Sequence, residues 1–131
     1  MKIIHKSGKR KTAIARATLN EGKGIVKINN MLIDEYQPKL SRLKIREPLL
    51  LAGDVVSKVN ITINTAGGGV NSQAEAARLA AARALVAYDK KLEKVFHNYD
   101  RNLLVADIRR KETHKPNCHG KARAKKQKSY R

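Results

Sequence analysis

Ten Lys and Arg side chains lie within the last 23 residues of the sequence, and a single acid, Glu112, accompanies them. Lys and Arg neutralise phosphates and release their counterions, and an Arg guanidinium can also bind one phosphate through two parallel hydrogen bonds. This density of charge predicts a segment that binds a polyanion, whereas an isolated pair such as Lys90 and Lys91 is adequately explained as solvated surface. The basic side chains of the segment are Arg109, Arg110, Lys111, Lys115, Lys121, Arg123, Lys125, Lys126, Lys128 and Arg131.

Segment 109–131 also lacks the apolar side chains that would let it fold alone. Its apolar and aromatic residues are only Cys118, Ala122, Ala124 and Tyr130. A chain this charged cannot bury enough surface to offset its ordering entropy. We expect it to be disordered alone or to be ordered by a polyanion, and fully extended it would reach roughly 70–75 Å at about 3.3 Å per residue.

A second basic cluster lies near the start of the chain and consists of Lys9, Arg10, Lys11 and Arg16. Residues 1–27 carry a net charge of +7 and residues 28–108 only +2, out of +18 for the whole chain. Basic ends around an ordinary globular middle predict nucleic-acid binding. A membrane surface or an acidic protein is the alternative partner. Tyr130 is the one aromatic residue in the basic tail, so a platform for stacking single-stranded bases is poorly supported.

Three consecutive glycines, Gly67, Gly68 and Gly69, stand between a predicted strand and a predicted helix. Backbone N–H groups at such a junction can hold a phosphate. A dinucleotide fingerprint would need a glycine where Ser72 stands, and Asp89 follows a helix instead of a second strand. We therefore predict a tight turn whose N–H groups meet a phosphate of the polyanion.

Metal binding and catalysis are not indicated by the remaining residues. Segment 7–12 contains Gly, Lys and Thr without the spacing of a P-loop. His114, Cys118 and His119 supply three ligands where a closed zinc site needs four. We predict a protein that is not an enzyme and has no cofactor and no metal site. The single cysteine excludes an internal disulfide, and no apolar leader follows Met1, so we expect a soluble, cytoplasmic protein.

Apolar periodicity predicts one α+β domain over residues 1–108, followed by a basic tail over 109–131. Strands are expected at 11–19, 25–28, 59–65 and 103–108, and helices at about 43–51, 72–88 and 92–99. The order is β-β-α-β-α-α-β, with the helices mainly on the apolar face of one small sheet.

Several local details follow from the same patterns. The first two strands should pair as a hairpin. Ser72 and Glu75 should form a capping box at the start of helix 72–88, whose alanine stripe should let it approach the sheet closely. Pro48 should lie in the first turn of its helix, and Asp89 should cap the last helix.

Four stretches of the sequence form a pattern together, in order and over nearly the whole chain. They are Gly8–Arg16, Gly67–Leu85, Asp107–Thr113 and Gly120–Arg131. This pattern resembles the family of small-subunit ribosomal protein nine, the universal S-nine family, whose signature is similar to the second stretch. The ending Ser129-Tyr130-Arg131 departs from the bacterial pattern, which has Lys before the last Arg. It resembles the archaeal and eukaryotic branch, and the compact length favours the archaeal type.

The resemblance implies a fold, a location and partners. The implied fold is a two-layer α+β domain like the second domain of ribosomal protein S-five, with a left-handed β-α-β crossover that the general rule would not predict. The implied location is the head of the small ribosomal subunit, in the cytoplasm, where the domain and most of the tail contact ribosomal RNA and neighbouring ribosomal proteins. The basic residues of both ends and the three glycines are then the expected contacts to ribosomal RNA.

The resemblance also implies that the end of the tail contacts the anticodon stem-loop of the P-site tRNA. The residues that match this contact are Lys128, Ser129, Tyr130 and Arg131. Arg131 matches the terminal arginine at the anticodon-loop phosphates. Tyr130 stands where bacteria have Lys, so it would stack or donate a hydrogen bond instead of pairing with a phosphate.

Two functions of other classes stay open at this point. A free, non-specific nucleic-acid-binding protein would bind duplex DNA as well as RNA and would not sediment with small subunits. A nucleotide-dependent enzyme using the turn at 67–69 would bind mononucleotides saturably, which the missing motif positions argue against.

Overall fold

The computed structural model describes residues 3–123, 125, 129 and 130. Its strands are β1 (Ile4–Arg10), β2 (Ala13–Glu21), β3 (Val26–Ile28), β4 (Met31–Leu32) and β5 (Val59–Ala66). Its helices are α1 (Lys39–Ala52), α2 (Asp54–Ser57), α3 (Val70–Tyr88) and α4 (Leu92–Tyr99), followed by a 3-10 turn at Arg101–Leu103. None of these helices is long and apolar enough to cross a bilayer.

The strands form one five-stranded mixed sheet in the order β1-β2-β5-β3-β4. Strand β2 pairs antiparallel with β1 and β5, and β3 pairs parallel with β5 and antiparallel with β4. The predicted α+β class is therefore confirmed.

The predicted hairpin between β2 and β3 is wrong, because β5 lies between these two strands. The turn after β2 crosses the end of β5. There the backbone N–H groups of Gly22 and Gly24 donate to the carbonyls of Lys58 and Val59, and Asn60 accepts from Lys23 and Ile25. The apolar face of β5 is fully buried, so β5 gains more from a central position than the three-residue β3 would.

The core lies between one face of the sheet and helices α1 and α3. Alternate residues of β2 and β5 point inward, including Ala15, Ala17, Ile61 and Ile63. The predicted close approach of the alanine-rich helix is confirmed, since most alanines of α3 are buried and the helix contacts β1, β2 and β5. On β1, a Cβ atom at Gly8 would overlap the carbonyl oxygen of Ala76 and lie 2.8 Å from the Ala80 nitrogen. Glycine therefore permits this contact.

Four other local predictions need correction or refinement. Helix α3 begins at Val70 without a side-chain cap, so the capping box of Ser72 and Glu75 is wrong. Pro48 lies inside α1 and is buried there. Residues 103–108 form no strand, because Leu103 ends a 3-10 turn and the chain then continues without regular structure. Asp89 does not cap α4, because Lys91 precedes the first helical residue and α4 has no side-chain cap; the Asp89 carboxylate accepts the backbone N–H of Lys91 instead.

Strand β1 was not expected. Its inward residues are Ile4 and Gly8 and its other positions are mostly polar, so it lacks the apolar alternation of a half-buried strand. Its seven residues nevertheless pair one by one with β2, from Ile4 opposite Leu19 to Arg10 opposite Ala13.

Candidate nucleic-acid interface

The turn between β1 and β2 brings basic residues next to the predicted glycine turn. Lys11, at φ 54°, and Thr12 connect the two strands. A Cβ atom at Gly67 would lie 2.9 Å from the Thr12 carbonyl oxygen, and one at Gly68 would lie 2.9 Å from the Ala13 Cβ atom. Both glycines have positive φ angles, 74° and 66°. Lys11 and the start of α3 therefore share one end of the sheet.

The base of the basic tail lies against this same turn and encloses a groove of about 1220 Å³ with it. Six basic side chains and one acid line this groove. We call it the basic groove, and its lining residues are Lys9, Lys11, Thr12, Ile108, Arg109, Arg110, Lys111, Glu112, Ala122 and Arg123. The two basic ends of the sequence thus meet in one place. A groove lined by one sign of charge concentrates its field and attracts a polyanion.

Arg10 is oriented differently from its basic neighbours. Its guanidinium contacts the Glu75 carboxylate at 2.6 Å and the Asp107 carboxylate at 3.0 Å, and only 16% of its side chain is exposed. Glu75 also pairs with Lys44 of α1 at 3.3 Å. Burial disfavours the charge on Glu75, but the hydrogen bonds from Arg10 and Lys44 outweigh it and lower the pKa of this carboxyl. Arg10 therefore joins β1, α3 and the tail base.

Asp107 fixes the direction in which the tail leaves the domain. Its carboxylate accepts the backbone N–H of Arg109 at 2.8 Å and the Arg109 guanidinium at 2.6 Å. These hydrogen bonds, from the side chain first and then the backbone, hold the pKa of Asp107 far below its ordinary value. Because Asp107 also contacts Arg10, the first tail residue is tied to the end of β1.

The described tail residues turn back on themselves, whereas we expected an extended segment. The Lys115 N–H donates to the Lys121 carbonyl at 3.0 Å, and Cys118 pairs with Lys125 in an antiparallel bridge. Glu112 closes this loop by pairing with Arg123, and that contact is the main reason its pKa is lowered. The single acid of the tail supplies the internal contact that a purely cationic segment would lack.

The predicted site residues are thus only partly brought together. Lys9, Lys11, Arg109, Arg110, Lys111 and Arg123 line the basic groove, and the glycine turn adjoins it. Arg16 does not line the groove, because it projects from the sheet face opposite the helices. Lys115, Lys121 and Lys125 lie on the tail loop with exposed side chains. Ser129 and Tyr130 are exposed, and Lys126, Lys128 and Arg131 lie outside the described residues.

A protein-family model described as "Ribosomal protein S9/S16" matches residues 8–131 of the chain. The chain belongs to the ribosomal protein S9/S16 family. "Small ribosomal subunit protein uS9" of Methanococcus maripaludis strain C7 is 47% identical over 134 aligned residues and covers all of both chains. The proteins of the same name in M. maripaludis strain C5 and in M. vannielii are 47% and 45% identical, again over the full length of both chains.

Membership of the S9/S16 family confirms the resemblance and the archaeal type that the sequence predicted. It assigns the chain a structural, non-enzymatic role in the small ribosomal subunit, and thereby a cytoplasmic location. In the part of the chain that the structure describes, no three His, Cys, Asp or Glu side chains come close enough to hold a metal ion.

The sequence of this S9/S16 family member did not predict the structural role of two arginines of α3. Arg83 donates to the carbonyls of Leu104 and Ser7, at 2.9 and 3.0 Å. Arg78 pairs with Glu47 at 2.6 Å and with Asp100 at 2.9 Å. Both hold the chain that leads to the tail against the domain. Their position within the otherwise apolar, alanine-rich stretch 76–88 of α3 was the available signal, because a charge there needs a partner.

Proposed function

We propose that this chain binds ribosomal RNA of the small subunit through the basic groove. The observation that carries the proposal is the convergence of six Lys and Arg side chains, from both ends of the chain, around one acid. Lys11, Arg110 and Lys111 are exposed, and counterion release on contact with phosphates would drive binding. A groove of this kind follows the sugar–phosphate backbone and does not select a base sequence.

Arg10 takes a different part in this proposal. Its charge is already paired with Glu75 and Asp107, so it positions β1 and the tail base instead of binding a phosphate directly. The glycine turn at 67–69 adds backbone N–H groups at the start of α3, beside Lys11, and these suit a phosphate oxygen.

We extend the proposal to the end of the tail. Residues 1–108 would form the RNA-bound domain in the subunit head, beside other ribosomal proteins, and residues 109–131 the extension that carries Lys128, Ser129, Tyr130 and Arg131 to the anticodon stem-loop of the P-site tRNA. The family resemblance supports this role, as does the exposure of Tyr130, which is 85% accessible. The likeness to the second domain of ribosomal protein S-five and the left-handed crossover remain predictions.

The groove is tested by titrating the purified chain with small-subunit ribosomal RNA at several salt concentrations. With about six phosphates engaged, log K should fall with log salt at a slope of about −4 to −5. Lys11→Gln combined with Arg110→Gln should make this slope less steep by about 1.5. The matched control is Lys90→Gln with Lys91→Gln, an exposed pair beyond the other end of α3.

The outcome separates this proposal from its alternatives. Equal slopes for parent, groove variant and control would refute the groove as the RNA site. Equal affinity for duplex DNA, together with failure to sediment with small subunits, would instead favour a free, non-specific nucleic-acid-binding protein.

A further inference from the structure

One face of the sheet is not covered by any helix of the described chain. Helix α3 lies on the face formed by the inward residues of β2 and β5, and α1 packs against α3; successive residues of a strand alternate between faces. We call the opposite face the open sheet face. Its outward residues include His5, Arg16, Thr18, Lys27, Thr62 and Asn64, which are exposed or half-buried.

The strand register arranges these residues in two rows. His5, Thr18, Thr62 and Lys27 lie opposite one another across four strands, and Ser7, Arg16 and Asn64 form the neighbouring row. With strands about 4.8 Å apart, the first row spans about 14 Å and places Arg16 about 12 Å from Lys27. The His5 Nδ1 atom contacts the Thr18 hydroxyl at 3.0 Å, which fixes one end of the row.

The open sheet face is positive and carries no acid among the outward positions of the described strands. Glu21, at the end of β2, belongs to the inward register. The ion pairs of the described chain involve neither Arg16 nor Lys27, in contrast to Arg10 and Arg78 on the helix side. These two charges are therefore available to an external partner, and a polyanion is the partner that complements them.

The other side chains of this face favour a sugar–phosphate backbone over bases or protein. Thr18, Thr62 and Asn64 offer hydroxyl and amide groups, whereas Phe, Tyr and Trp are absent from the described strands. Bases therefore find no ring on which to stack. The exposed apolar side chains of this face, Ile14 and Leu32, lie near the start of β2 and on the edge strand β4. A polar hollow of about 160 Å³ lies beside Lys27 and Thr62. Its wall includes Asn60, whose amide oxygen already accepts two backbone N–H groups, so that its NH₂ group is the end left for a ligand.

The open sheet face is also continuous with the basic groove. Lys9 lines the groove, and it lies opposite Ile14 on the outward side of β1 and β2.

We propose that the open sheet face binds the sugar–phosphate backbone of a ribosomal RNA helix, through Arg16 and Lys27 and the row of hydroxyls between them. This inference rests on the proposed function for its partner, but it assigns a second surface that adjoins the groove and has contact residues of its own. A broad sheet face suits the wide, shallow minor groove of RNA, which displays 2′-hydroxyls beside the phosphates.

The test uses the full chain, small-subunit ribosomal RNA and two double variants. Arg16→Gln with Lys27→Gln should make the salt slope less steep by about 1.5 and weaken binding by on the order of 30-fold at 0.1 M salt, since two counterion-release contacts are lost. The charge-retaining pair Arg16→Lys with Lys27→Arg should keep the parent slope. Circular dichroism confirms that both variants fold. Hydroxyl-radical footprinting should show that the glutamine pair loses a protected RNA stretch distinct from the one lost in the groove variant.

The results distinguish this inference from the groove proposal. If the glutamine pair matches the Lys90 and Lys91 control while the groove variant is weakened, the open sheet face is not an RNA site and the groove proposal stands. If the glutamine pair and the groove variant both match the control, both proposals fail. If RNA binding is unchanged but association with another small-subunit protein is lost, the face is a protein contact and this inference is overturned.

Discussion

Arg10 of β1 donates a hydrogen bond to Glu75 of α3 at 2.6 Å, across 65 residues of sequence. Local patterns predict other partners for both residues, a phosphate for Arg10 and a helix cap for Glu75. Their contact instead builds one ionic cluster with Lys44 and Asp107. The cluster lies beside the basic groove and ties β1, α3 and the tail base together, while Lys11 and Arg110 line the groove itself with exposed side chains.

Replacing Arg10 should impair stability more than RNA binding. Arg10→Ala leaves Glu75 and Asp107 without their shared cation, and the expected loss is about 1–2 kcal/mol in the free energy of unfolding, measured by urea titration. The salt slope of RNA binding should stay close to that of the parent. Lys11→Gln, one residue away, should make the salt slope less steep and leave the free energy of unfolding close to that of the parent. A steep loss of salt dependence in Arg10→Ala at unchanged stability would show that Arg10 binds phosphate directly.

The same cluster predicts a loss of stability in acid. The pKa of Glu75 lies below its ordinary value of 4.5 in the folded chain, so the unfolded chain binds more protons below that pH. Stability contributed by Glu75 is therefore complete above pH about 4.5 and is lost as the pH falls through the folded pKa. Urea midpoints between pH 7 and 3 should fall less for Glu75→Gln than for the parent. Glu93→Gln, at an exposed position of α4, should follow the parent.

The close contact between β1 and α3 predicts that Gly8 tolerates no side chain. A Cβ atom there would overlap the Ala76 carbonyl oxygen and approach the Ala80 nitrogen, both of them backbone atoms that cannot move alone. Gly8→Ala should cost about 1–3 kcal/mol in the free energy of unfolding, as overpacking does. Gly69→Ala is the matched control, because nothing lies within 4 Å of the new atom. Equal unfolding midpoints for the two variants would contradict this packing.

The sequence predicted an element correctly where its local apolar pattern matched the surface that the element buries in the fold. The alternation Val59, Ile61, Ile63 identified β5 correctly, and the alanine stripe identified α3, because each presents one apolar face to the core. Local patterns do not predict which strands pair. Strand β3 pairs with β5 instead of β2, and all seven residues of β1 pair with β2 although β1 is mostly polar. Val105 and Ile108 look like strand residues but are 41% and 90% exposed.

The candidate site was predictable in composition but not in arrangement. Charge counting found the basic residues of both ends, yet only the fold shows that Lys9 and Lys11 face Arg110 and Lys111. Charge counting could not show that Arg10 is neutralised by long-range ion pairs, whereas Arg16, six residues later in the sequence, stays exposed. Partners distant in sequence decide which charges remain available, and no local spacing encodes that choice.

The tail loop should open when its single acid is removed. Glu112→Gln eliminates the contacts to Arg123 and Lys115, so limited trypsin digestion should cut more rapidly after Lys121 and Arg123, whereas the Lys115–Pro116 bond resists trypsin in both chains. The urea midpoint of the domain should stay unchanged, because these are exposed ion pairs. Thr113→Ala serves as the control at a neighbouring exposed position. Unchanged cleavage rates in Glu112→Gln would mean that the loop is held by other contacts.

Removal of residues 128–131 should separate assembly from tRNA binding. The basic groove and the domain would be intact, so truncated chains should enter small subunits as the parent does. Two cations and the exposed Tyr130 would be lost, and with them the proposed contacts to the anticodon stem-loop. Dissociation of P-site tRNA from reconstituted subunits should therefore be faster, on the order of tenfold if about two phosphate contacts disappear.

The contribution of each residue at this tip follows from single variants in the same dissociation assay. Loss of charge in Lys128→Gln should accelerate tRNA release and reduce its salt dependence, since a phosphate contact is electrostatic. Tyr130→Phe removes only the hydroxyl, so a rate equal to the parent would indicate stacking and a faster rate a hydrogen bond. Unchanged tRNA release after removal of all four residues would refute the tip contact while leaving the RNA-binding groove in place, because the two surfaces bind different RNAs.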